Sequence, residues 1–131
     1  MTSRRPRSAL LATAILALLL SGCAAFPLAL PKAETAAHKE LNAGIALYNA
    51  GDYAGAIKQL GSADIAKADK ATQLEAIKYT AFSYCLTGKQ TPCRQQFQKA
   101  LKLDPAFDLA PGEQGHPMWA PVFDKLKKPA R

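Results

Sequence analysis

Two stretches of this chain carry the same spacing of small and large residues, 37 positions apart. The first reads Gly44-x-x-Leu47-x-x-x-Gly51-Asp52-Tyr53-x-x-Ala56-x-x-x-Leu60-x-x-Ala63. The second reads Ala81-x-x-Tyr84-x-x-x-Gly88-x-x-x-x-Cys93-x-x-x-Phe97-x-x-Ala100. Small residues at matched places let paired helices approach closely, and the large ones fill the space beside them. In that register Gly44 meets Ala56 and Ala81 meets Cys93 where helices cross, with Tyr84 and Phe97 packed alongside. The pattern restricts the chain to an all-α fold of two helical hairpins.

Composition supports this from Thr35 to Asp104, where Ala, Leu, Ile, Lys and Gln favour helix. Punctuation divides the stretch into four helices. Thr35 caps the first, which ends near Asn49-Ala50-Gly51. Asp52 caps the second, which runs to about Lys67. Thr72 and Glu75 form a capping-box spacing ahead of the third, which ends at Thr87-Gly88. Thr91-Pro92 supplies a cap and a first-turn proline for the fourth, which stops before Asp104-Pro105. The paired pattern, with Gly51-Asp52-Tyr53 at its first turn, resembles the tetratricopeptide repeat, a helix–turn–helix unit of 34 residues. The longer spacing implies about three extra residues around Lys67 to Ala71. The alternative is a generic four-helix arrangement.

Two such hairpins, over residues 36–105, are fewer than repeat arrays usually need. Leu101 and Leu103 at the end of the second must be covered, and residues 106–131 are the candidate cover. Prolines 105, 111 and 117 exclude a third regular repeat helix there. A short helix from about Pro117 or Ala120 to Lys127 would place Trp119, Phe123 and Leu126 on one face. Trp119 reads as a packing anchor, with a ligand platform as the alternative.

The N-terminus has a different character. Arg4, Arg5 and Arg7 precede an apolar run from Ala9 to Leu20, too short to span a bilayer as a helix. Leu20-Ser21-Gly22-Cys23 then closes it with the pattern of a bacterial lipobox, so residues 1–22 read as a lipoprotein signal peptide. The resemblance implies a diacylglycerol on the Cys23 thiol and cleavage just before it. An ordinary secretory signal with an incidental cysteine is the alternative. Residues 23–35 then form the lipid anchor and tether, interrupted by two prolines. Lipoproteins of this class resemble one another in carrying three acyl chains, enough for stable anchoring. Ala24, where Asp tends to retain such proteins in the inner membrane, points to the outer membrane and its periplasmic face.

Removing the signal arginines brings the net charge from +7 to about +4. Lys125, Lys127, Lys128 and Arg131 form a basic tail, read either as a solvated end or as a contact for anionic lipid or an acidic partner. Nucleic acid is excluded as a partner by the compartment and the lack of a recognition motif. After lipidation Cys85 and Cys93 remain, an even pair flanking the second turn in an oxidising compartment, and a disulfide is expected. Two buried free thiols are the alternative.

Chemistry is sparse. His38 and His116 lack ligand-like company, no metal or phosphate motif occurs, and no catalytic residue, metal or cofactor is nominated. His116 reads as a turn or cap residue before Pro117. Binding fits better. The inner face of each first helix carries His38, Leu41, Ile45, Tyr48 and Asn49 in one hairpin. In the other it carries Glu75, Lys78, Phe82 and Leu86. This partner-binding groove is open, or filled by the tether or the C-terminal segment.

The lipobox, the hairpins, Tyr84-Cys85, Pro92-Cys93-Arg94-x-x-Phe97 and a distinctive tail occur together. That tail runs Leu103-Asp104-Pro105-x-Phe107-x-Leu109-x-Pro111, then Gly115-His116-Pro117-x-Trp119-x-Pro121-Val122-Phe123. The set resembles the TssQ-type lipoproteins associated with type VI secretion. The resemblance implies a non-enzymatic accessory role through contact with an envelope protein, a secretion-machine component among the candidates. A pilotin- or assembly-type lipoprotein of another outer-membrane machine is the runner-up. A lipid-anchored binder of a small ligand or cell-wall fragment, using Trp119 and His116, is the third reading.

Overall fold

Gly51 and Gly88 turn the chain in the same way. Both have positive φ, 81° and 74°, in the left-handed region that glycine enters without a Cβ penalty. At the first turn Gly51 N–H donates to the Tyr48 carbonyl at 3.0 Å and Asp52 N–H to the Leu47 carbonyl at 2.9 Å. At the second, Gly88 N–H donates to Cys85 at 3.1 Å and Lys89 N–H to Tyr84 at 2.9 Å. Both are the paired bonds of a Schellman motif, which satisfy the last carbonyls of a helix while reversing the chain.

The computed structural model describes residues 35–128. The expected signal peptide, Cys23 and the expected tether up to residue 34 lie outside the described residues, as does the end of the basic tail with Arg131. The described residues are helical with no strand: α1 (Ala36–Asn49), α2 (Tyr53–Leu60), α3 (Ala63–Ala66), α4 (Lys70–Leu86), α5 (Gln90–Leu103) and α6 (Ala120–Lys127). The helices α1 and α2 pair across the Gly51 turn, α4 and α5 across the Gly88 turn, and α2 packs on α4 to join the pairs. None of these helices is long and apolar enough to cross a membrane.

Several helix ends differ from the expectation. Thr35 and Asp52 cap α1 and α2 through bonds from His38 N–H and Gly55 N–H. The second helix, however, stops at Leu60 rather than near Lys67. Gly61 ends it, and Ser62 then caps α3 by accepting from Ile65 N–H at 3.4 Å. The extra length between hairpins is thus a separate helical turn that buries Ile65 against Leu41 and Leu60. The cap of α4 is Asp69, not Thr72. Its carboxylate accepts from Thr72 N–H at 3.0 Å and from the Thr72 hydroxyl at 2.8 Å, which leaves Thr72 buried in the first turn. At α5 the chain is already helical from Gln90, so Thr91-Pro92 lies inside the first turn and Lys89 takes the cap position without a side-chain bond. The reason lies in the turn: φ/ψ is −83/75 at Asp52 and −86/73 at Lys89. The backbone of the preceding turn starts the helix, whatever side chain follows.

The core forms two clusters. One holds Leu41, Ala56, Leu60, Ile65 and Ala76. The other holds Ala81, Phe82, Cys85, Cys93, Phe97, Leu109, Trp119 and Phe123. Tyr48 and Tyr79 pack against both and join them. Gly44 serves the close approach of α1 and α2, and the Leu60 side chain lies nearest to it. A Cβ built there would lie 2.5 Å from Leu60. Cys85 and Cys93 are joined in a disulfide, with Cα atoms 5.2 Å apart and both residues fully buried.

Candidate functional site

The first helices of the two hairpins, α1 and α4, lie against each other and define the face on which a groove was expected. Its expected lining divides into three groups. Leu41 is only 8% exposed and belongs to the first core cluster, and Phe82 is 2% exposed beneath Trp119. Neither is available to a partner in this state, because the short α3 and the C-terminal segment supply apolar surface that covers them. Ile45, Tyr48, Lys78 and Leu86 are half-buried at the edges of the face, and Asn49 is exposed at the end of α1. His38 links the helices instead of lining a groove. Its ring nitrogens lie 2.8 Å from the Thr35 hydroxyl and 3.3 Å from that of Thr72. Glu75 pairs with Lys78 at 3.5 Å.

The α4 half of this face holds the protein's own chain. Asp104 meets Lys70 at 3.3 Å, Glu113 meets Lys78 at 2.8 Å, and Trp119 stacks on Phe82 with ring centroids 4.0 Å apart. These contacts advance together along both partners, so residues 104–119 run beside α4 from its start towards its end. Prolines keep this stretch out of a regular helix and leave its side chains to pin it. Trp119 is held on three sides: Phe82 on one face, His116 on the other at 3.4 Å and 3°, and an indole N–H that donates to the Glu113 carbonyl at 2.9 Å. His116 also accepts the Met118 N–H at Nδ1, so its place is in the turn that carries the tryptophan. With both faces of Trp119 occupied, the indole serves packing and is not a platform for a ligand.

Electrostatics follow from this cover. Burial pushes the Tyr48 hydroxyl up to about 12, helped by Tyr53, Tyr79 and the negative charge of Glu113. For Lys78, burial works against the ammonium, but the hydrogen bond to Glu113 and the charges of Glu75 and Glu113 outweigh it and hold the amine above its ordinary range. Aromatic rings continue the line across α2, α1 and α4. Tyr53 lies 5.6 Å from Tyr48, Tyr48 lies 5.0 Å from Tyr79, and Tyr79 lies 5.8 Å from Phe82. Tyr79 and Glu113 were not anticipated as parts of this face. Tyr79 follows Lys78 in a helix whose apolar residues run almost all round, which hides the facing stripe. The acid at 113 lies between prolines and glycines, where no helical period marks a partner.

Among the described residues no group of three or more His, Cys, Asp or Glu side chains is placed to hold a metal ion. No protein-family model matches the chain, and no curated protein and no solved structure matches it significantly.

Proposed function

We propose that this chain is a non-enzymatic outer-membrane lipoprotein, anchored through Cys23 and facing the periplasm. In this reading it works as a protein-interaction adaptor or accessory factor of the type VI secretion system. Its folded part is read as two tetratricopeptide-like repeats with a C-terminal cap. The observation that carries the reading is the recurrence of one turn: the same Schellman bonds and the same following dihedrals at Gly51 and Gly88. A repeated turn makes α1 and α4 equivalent first helices, and stacked equivalents of this kind present an extended surface for protein partners. The segment along α4 supports it too, because that face holds an irregular, proline-rich segment through ion pairs and an aromatic stack.

Membrane fractionation and a secretion assay test the proposal together. Cys23→Ala is expected to move the protein from the outer membrane to the soluble periplasmic fraction, since one acylated cysteine is the proposed anchor. Normal membrane fractionation of this variant after a salt wash would overturn the lipoprotein reading. Deleting the gene is expected to abolish type VI secretion while other outer-membrane assemblies stay intact. Loss of a different outer-membrane machine would instead identify a pilotin- or assembly-type lipoprotein.

A further inference from the structure

Most of the cations pinning the C-terminal segment have carboxylate partners: Lys70 with Asp104, Lys78 with Glu75 and Glu113, and Lys127 with Asp108. Arg94 on α5 and Lys125 on α6 are different. Both are exposed, and neither pairs with a carboxylate among the described residues. They stand one on each wall of a cleft of about 540 Å³ between the two helices. The α5 wall runs from position 90 to 98, about 12 Å of helix. The α6 wall contributes Pro121, Val122 and Leu126, and among the described residues no Asp or Glu lines the cleft. Asp124, the acidic residue of α6, is not part of the lining.

We propose that this cleft docks an acidic amphipathic segment of a partner protein. An apolar side chain would seat on Val122 and Leu126, with flanking carboxylates reaching Arg94 and Lys125. Guanidinium suits a carboxylate because it offers two parallel N–H donors. Unpaired cations on both walls attract an acidic segment at a distance and reject a basic one. The same charges select against a second copy of the chain, since a two-fold contact would set Arg94 and Lys125 against themselves. Concavity favours a peptide over a bilayer, which is flat on this scale and would leave the cleft unfilled. The site lies on α5 and α6, away from the α1–α4 face. It rests on the adaptor reading only for the existence of a protein partner.

The test uses the purified full chain in mild detergent and two labelled amphipathic helical peptides. Both carry leucines at helical spacing; one is flanked by glutamates and the other by lysines. Fluorescence anisotropy is expected to show roughly tenfold tighter binding of the glutamate peptide. Arg94→Glu with Lys125→Glu should reverse that preference, and Val122→Asp should weaken binding of the glutamate peptide with the helical circular dichroism unchanged. Equal affinity for the two peptides, or an unchanged preference in the charge-reversed chain, overturns the proposal. It is also overturned if phosphatidylglycerol vesicles displace the peptide and the charge reversal abolishes vesicle binding, which would assign the cleft to a bilayer. A charge-dependent dimer that blocks the peptide would assign it to a second copy. The assay reads peptide capture alone, so a failed anchoring or secretion experiment leaves its outcome intact.

Discussion

Trp119 shows how one side chain connects sequence, cover and stability. It is 6% exposed between Phe82 and His116, at the start of α6. Trp119→Ala removes that stack and leaves the Glu113 carbonyl without its donor, so a loss of about 3–5 kcal/mol is expected. Chemical denaturation monitored by circular dichroism checks it, and a change below about 1 kcal/mol would show that the cover is not integral to the fold. Ala81 makes the opposite case. It is fully buried in the second cluster, and Ala81→Leu adds volume where no space exists, at a cost of about 1–3 kcal/mol. An unchanged melting temperature would mean that this residue does not sit at a helix crossing.

Among elements, the second hairpin is the more firmly closed. Its turn repeats the first, and the Cys85–Cys93 bridge ties α4 to α5 across it. The closed loop is short, so reduction is expected to lower stability by roughly 2–3 kcal/mol, chiefly by restoring freedom to the unfolded chain. Alkylation of folded protein before any reductant checks the bridge itself; two alkylated cysteines would remove this contribution. The cap of α4 shows its own pH dependence. Bonds from Thr72 hold the Asp69 carboxylate below its ordinary range. A depressed carboxylate stabilises above its unfolded value and loses that contribution as the pH falls through the folded one. Asp69→Asn should therefore flatten the acid limb of the stability profile, which melting curves across the acid range would show.

At the scale of the whole molecule, Tyr48 and Tyr79 are the half-buried side chains among the described residues that pack against both clusters. Burial holds the Tyr48 hydroxyl at about 12 against an ordinary value of 10.0. A phenol whose folded value is raised contributes fully below the unfolded value, and that contribution declines as the pH rises between the two. Stability should thus be level in this respect up to about pH 10 and fall towards pH 12. Tyr48→Phe should remove part of the decline, measured by melting temperature against pH beside the phenolate absorbance. An unchanged alkaline limb would place the sensitivity elsewhere. The negative charge of Glu113 also acts on Tyr48, so the C-terminal segment influences the first hairpin electrostatically while its ion pair is made to α4.

Local chemistry made much of this legible in the sequence. The turns at Gly51 and Gly88, the pairing of helices around them, the Thr35 and Asp52 caps and the short α6 all depend on a few neighbouring residues, and residue order carries that information directly. The proximity of Cys85 and Cys93 follows from the same hairpin. Which residue caps α4 was harder, since Asp69 and Thr72 are both good caps, and the carboxylate won by accepting two bonds. Only the folded chain distinguishes open groove from filled groove. Leu41 and Phe82 occupy the helix positions expected of a binding face, yet α3 and residues 104–119 cover them. No periodicity encodes that outcome. It depends on which distant apolar surfaces meet once the helices are packed, and on a proline-rich segment whose path is set by the ion pairs and the aromatic stack waiting along α4.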